Sequence, residues 1–147
     1  MTILRGTETQ SASSRLKPDG LTDISIHLQD VRERYGEHDP HAIIECKRVA
    51  DDAALCRLYV RCGIDRFQSG KYGIGHATGF MVGYVISGGV SAAVAKINRR
   101  LSRLKRQTEY LQQRRTVGVA WAWFSEHSRP QPHVNIELHH AFLVFSP

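Results

Sequence analysis

The chain has 147 residues, 41% of them hydrophobic and 23% charged, and a net charge of +6. That length suits one domain with a core of its own, and the composition is that of an ordinary globular protein without a low-complexity tract. Three cysteines with no CxxC pair argue against a disulfide framework and make a reducing, cytoplasmic setting the default expectation.

In chain order, residues 1–20 are polar and turn-rich, and are read as an N-terminal arm ahead of one domain spanning 21–147. They hold no apolar run of the kind a signal peptide needs. From Leu21 to Leu28 the apolar Ile24, Ile26 and Leu28 alternate with Asp23, Ser25 and His27, which predicts a strand with one apolar and one polar face. After a polar connection, His41–Val49 is expected as a second strand. Asp51 and Asp52 then open a helix with Leu55, Leu58, Tyr59 and Cys62 on one face and Gly63 as its stop. Arg66 to His76 reads as a glycine-punctuated loop whose Arg66, Lys71 and Tyr72 are candidate phosphate-binding residues.

Residues 77–95 contain no charged side chain, with Gly75, Gly79 and Gly83 at GxxxG spacing and a basic cluster just beyond. A membrane span is the rival reading of that stretch. Ser87 and Gly88-Gly89 in its middle favour a strand, Gly79–Ser87, that ends at a turn before a separate helix. From Val90 the stripe Val94, Ile97, Leu101, Leu104 and Leu111 predicts one long amphipathic helix reaching about Arg115. Two final strands, Val117–Phe124 and Val134–Phe145, flank a proline-containing turn. Strand, strand, helix, strand, helix, strand, strand implies an α/β (α+β) domain with a mixed sheet and helices packed on it.

Charge is concentrated in one place. Between Lys96 and Arg115 eight basic residues face one acid, Glu109, so the segment carries +7 and the remainder −1. Arg99, Arg103 and Arg106 fall at i, i+4, i+7 spacing, as expected for a face that meets a polyanion. His127 and Arg129, after the penultimate strand, are further candidates for a phosphate contact. A nucleic acid, DNA before RNA, is the expected partner, with a partner subunit or a second copy of the chain as another; a membrane is not expected.

Glu45 and Lys47 lie two apart on a predicted strand, so both side chains leave the same face. A carboxylate and an amine facing inward carry a desolvation cost that a metal or substrate offsets. Asp23 adds a second carboxylate and the Cys46 carbonyl a neutral oxygen, a hard-oxygen set suited to Mg²⁺ or Mn²⁺. Asp23, Glu45 and Lys47 are the candidate catalytic residues, and Asp23, Glu45 and the Cys46 carbonyl the candidate metal ligands.

Asp23-Ile24-Ser25-Ile26, 21 residues separating Asp23 from Glu45, and Ile44-Glu45-Cys46-Lys47 together resemble the PD-(D/E)xK signature of restriction-endonuclease-like phosphodiesterases. Gly63–Gly73, Gly79–Val85, Ser125–Arg129 and His139-His140 are similar to bacterial and phage proteins described as restriction-like or defence-associated nucleases. The resemblance implies a restriction-endonuclease-like core and Mg²⁺-dependent phosphodiester hydrolysis, with Asp23, Glu45 and Lys47 as the catalytic trio. Thr22 stands where the pattern has proline, and the sequence ahead of Asp23 is short for the helix and strand expected there. The alternative is therefore a non-catalytic subunit that keeps the fold and binds nucleic acid or a partner protein.

Overall fold

The computed structural model describes residues 2–5, 8–9, 20–21, 23–27, 42–116 and 119–144. Its strands are β1 (Thr2–Arg5), β2 (Glu8–Thr9), β3 (Gly20–Leu21), β4 (Ile24–His27), β5 (Ala42–Val49), β6 (Thr78–Val85), β7 (Gln112–Thr116), β8 (Val119–His127) and β9 (Ile136–Val144). Seven of them form one mixed sheet in the order β1-β4-β5-β6-β9-β8-β7, and β2 pairs with β3 apart from it. β1 falls inside the stretch expected to be an arm and adds a strand antiparallel to β4.

β4 and β5 pair antiparallel with Ile24 facing Ile44, whereas β5 and β6 pair parallel. A parallel pair needs a crossover, supplied here by α1 (Ala53–Tyr59), a π turn (Val60–Ile64) and α2 (Asp65–Gln68). Asp52 caps α1 through a 2.8 Å hydrogen bond accepted from the Leu55 N–H. The helical path does not stop at Gly63. It passes through the π turn, within which Gly63 packs on Met81, where a side chain would collide with the end of that methionine. Cys56, Tyr59, Val60, Gly63, Ile64 and Phe67 are the buried residues of this path, while Leu58, expected on the same face, is 43% exposed.

β6 ends at a turn through Gly88, and α3 (Val90–Arg103) starts afresh after it. Among the described residues no helix is long and apolar enough to cross a membrane. α3 buries Ala93, Val94, Ile97 and Leu101, but it does not run on to Arg115. Lys105 takes a left-handed φ of 59°, a 3₁₀ turn covers Gln107–Glu109, and Gln112–Thr116 is an edge strand. The Asn98 side chain holds Leu111 at both its N–H (2.8 Å) and its carbonyl (3.1 Å), so Leu111 joins the core without a helix beneath it.

Inward positions of the strands alternate: Ile43, Glu45 and Val49 on β5, Met81 and Val85 on β6, Ile136, Leu138 and His140 on β9, Ser125 and His127 on β8. All belong to the sheet face on which the helical path and α3 pack, and the core is the layer between.

Candidate active site

The antiparallel register that sets Ile24 against Ile44 brings Asp23, at the mouth of β4, alongside Glu45. The Cys46 N–H donates to Asp23 Oδ2 at 2.6 Å, fixing that carboxylate across the strand pair. The Lys47 ammonium donates to Glu45 Oε1 and to the Cys46 carbonyl at 3.1 Å, and lies 3.8 Å from Asp23 Oδ2. One cation therefore stands against both carboxylates and the carbonyl between them. Glu45 is 1% exposed, and its Oε2 is buried without a hydrogen-bond partner among the described residues.

From the helical layer, Arg66 Nη1 comes within 3.6 Å of Glu45 Oε1 and donates to the Tyr72 hydroxyl at 2.5 Å. Burial pushes the Glu45 carboxyl above its ordinary value, Asp23 adds to that, and the Lys47 and Arg66 cations oppose it. Burial also raises the Tyr72 phenol, with the Glu45 charge acting in the same direction. Tyr72 is fully buried, so it braces Arg66 from within and does not face an incoming polymer. Lys71, its neighbour, is exposed.

No three His, Cys, Asp or Glu side chains among the described residues gather as a metal-ligand set. The donors present at this centre are two carboxylates and a backbone carbonyl. A magnesium ion, which keeps several waters and takes one or two protein carboxylates, suits such a set, and the unpartnered Glu45 Oε2 is an oxygen available to it.

The other phosphate-binding candidates separate sharply. Arg99 and Arg103 are exposed on α3. Arg106 is not on their face: past the helix end, it donates to Asp65 (2.6 Å), Gln68 (2.6 Å) and both oxygens of Glu109. Arg129 is 7% exposed and spends its guanidinium on four carbonyl oxygens at 2.8–3.0 Å, that of Phe67 in α2 and those of Tyr72, Gly73 and His76 in the loop after it. His127 is 1% exposed. The sequence pattern suggests that Arg106, His127 and Arg129 face a phosphate; the fold turns all three inward, because each satisfies a buried acceptor there.

His127 belongs to a buried chain invisible in the sequence. Glu109 Oε2 meets His127 Nδ1, His127 Nε2 lies 2.7 Å from Ser125 Oγ, Ser125 Oγ 2.8 Å from His140 Nε2, and His140 Nδ1 2.9 Å from the Tyr59 hydroxyl. One proton order satisfies every donor: Tyr59 donates to His140, His140 to Ser125, Ser125 to His127, and His127 to the Glu109 carboxylate. The reverse order would leave the buried Tyr59 proton without an acceptor. Burial alone would raise Glu109, but the hydrogen bonds from His127 and Arg106 and the Arg106 charge outweigh it and hold the carboxyl down to about 2. The period-two spacing of Ser125 and His127 is the one sequence signal of this chain, and it does not reveal that His140 lies opposite.

Comparison with protein-family models, with curated proteins and with solved structures returns no match.

Proposed function

We propose that this chain is a metal-dependent nuclease of restriction-endonuclease-like architecture that hydrolyses phosphodiester bonds in nucleic acid, with DNA as the first substrate to test. The carrying observation is the convergence of Asp23, Glu45 and Lys47 at one point, with a buried Glu45 oxygen left unpartnered. The antiparallel β4–β5 pair followed by a helical crossover to the parallel β6 supports the architecture.

Asp23, Glu45 and the Cys46 carbonyl would hold Mg²⁺ or Mn²⁺, and the ion would supply Lewis acidity toward a phosphodiester oxygen. The Cys46 N–H and the Arg66–Tyr72 pair fix the two carboxylates, so their arrangement precedes ligand binding. Lys47, the half-buried cation of the centre, screens charge that builds on the phosphate and orients the attacking water. A second reading, a nucleic-acid-binding subunit without catalysis, is favoured by one observation: Lys47 and Arg66 already supply Glu45 with positive charge from the protein.

Plasmid nicking with Mg²⁺ or Mn²⁺ separates the two readings. Wild type is expected to nick, and Lys47→Ala to lose on the order of 10²-fold or more in rate. A folded wild-type protein that never nicks with either ion sinks the nuclease reading in favour of the second.

A further inference from the structure

The molecule treats its cations in two ways. Lys47, Arg66, Lys96, Arg106 and Arg114 each pair with a carboxylate, and Arg129 is surrounded by carbonyls. Arg57 and Arg61 on the crossover path, and Arg99, Arg100 and Arg103 on α3, have no hydrogen-bonded or ionic partner among the described residues. All are exposed except Arg100, which is half-buried and whose Nε is buried with no partner.

These two sets of arginines sit on neighbouring elements, the crossover path and α3. α1 and α3 follow the parallel neighbours β5 and β6, so the two helices run in the same direction. Cys56 Sγ, 3.8 Å from the Ala93 carbonyl oxygen, fixes where they touch. Arg100 is seven residues beyond Ala93 and so lies within about 20° of it around the helix, on the side facing α1. Arg61 is five residues beyond Cys56. At about 1.5 Å per residue, Arg61 and Arg100 reach heights within roughly 3 Å of each other. Arg57 sits one turn before Arg61, and Arg99 and Arg103 flank Arg100 on the outer side.

Unpaired like charges crowded across a helix–helix groove repel one another, and a polyanion removes that cost. The kind of polyanion follows from what accompanies the charge. Surface-bound membrane helices need several large apolar side chains beside their basic ones; the exposed positions of α3 are Ser91, Ala95, Arg99 and Arg103, and those of α1 are Ala53, Ala54, Arg57 and the single large apolar Leu58. Guanidinium forks match phosphate oxygens two at a time.

We propose that the groove between the crossover path and α3, with Arg57 of α1 and Arg61 of the π turn on one wall and Arg99, Arg100 and Arg103 on the other, grips a nucleic-acid backbone through its phosphates without reading its sequence. The proposal rests on nucleic acid being the substrate and adds residues outside the hydrolytic centre that hold it.

The test is fluorescence anisotropy of a labelled random-sequence DNA duplex with the full chain in EDTA, titrated across KCl. The Arg61→Gln/Arg100→Gln variant should flatten the log–log salt slope by up to about two units, near 0.9 for each phosphate no longer neutralised, and weaken unrelated sequences alike. Arg48→Gln, on the opposite sheet face, should leave slope and affinity unchanged. If the half-buried Arg100 proves necessary for folding by circular dichroism, Arg57→Gln/Arg61→Gln carries the same expectation. A folded double variant with the wild-type slope overturns the proposal. So does wild type that ignores the duplex but binds vesicles of anionic phospholipid, or whose mass doubles through this face. Because EDTA suppresses cleavage, a failure to nick leaves the slope readable, and an unchanged slope leaves nicking readable.

Discussion

Arg129 shows how one side chain can set the shape of a site it never enters. Three of its four carbonyl acceptors belong to the loop that carries Tyr72 and the fourth, Phe67, to the helix before it, and Tyr72 in turn accepts from Arg66 beside Glu45. Burial lowers the guanidinium from its ordinary value, yet arginine remains charged throughout the accessible range. Lysine would keep the charge but offers a compact ammonium in place of a planar fork, so Arg129→Lys should leave two or more buried carbonyls without a donor. An expected loss of about 2–4 kcal/mol follows, checked by urea denaturation. Hydrogen exchange should show the loss of protection concentrated at residues 67–76, and a uniform loss across the sheet would contradict the clamp. Sequence pattern alone does not show this: an arginine after a strand in a proline-containing turn looks like a surface residue until the carbonyls it meets, 53–62 residues away, are placed.

Elements whose pattern is local are legible in the sequence, and those defined by distant partners are not. Period-two alternation places β4 and β5 as neighbouring strands, and their pairing puts Asp23, Glu45 and Lys47 within reach of one another. Gly88-Gly89 separates β6 from α3. The helix end is not legible, because Leu104 and Leu111 continue the apolar stripe while the backbone turns at Lys105, after which Arg106 reaches Asp65, 41 residues upstream. β7, Gln-Gln-Arg-Arg-Thr, has no apolar alternation to announce a strand and owes its place to pairing with β8. Gly79 has the spacing of a helix-packing glycine, yet its role is contact between layers. A Cβ there would lie 2.7 Å from Phe67 Cε1 and 2.9 Å from Leu138 Cδ2. Both neighbours are fully buried, so Gly79→Ala should destabilise by about 1–3 kcal/mol through overpacking. Gly75→Ala, with open space around its Cβ but φ +94°, should cost through backbone strain alone. Thermal melts of the two variants, with Gly79→Ala rescued by Phe67→Leu and Gly75→Ala not, would support that assignment.

At the scale of the whole molecule, the chain from Glu109 to Tyr59 ties the 3₁₀ turn, β8, β9 and α1 together, so its protonation state is coupled to global stability. Burial pushes His140 well below its ordinary value of 6.5. As pH falls below 6.5 the unfolded chain takes up a proton that folded His140 refuses, so stability declines. Glu109 works in the same direction lower down: with a folded value of about 2 against an ordinary 4.5, its contribution is present above 4.5 and lost as pH falls through about 2. Glu45 is opposed in sign. Its folded value is raised above 4.5, so its contribution is present below 4.5 and lost as pH rises through the folded value. Between 6.5 and 4.5 Glu45 thus offsets part of the His140 loss, and below 4.5 it no longer does. The unfolding free energy from urea titrations should therefore fall gently from pH 6.5 to 4.5 and more steeply below. Each proton contributes a slope of about 1.4 kcal/mol per pH unit. Glu109→Gln should remove one proton's share of the lower limb, and Glu45→Gln should steepen the upper one. The same pH profile in Glu109→Gln as in wild type would mean that the buried chain does not govern acid stability.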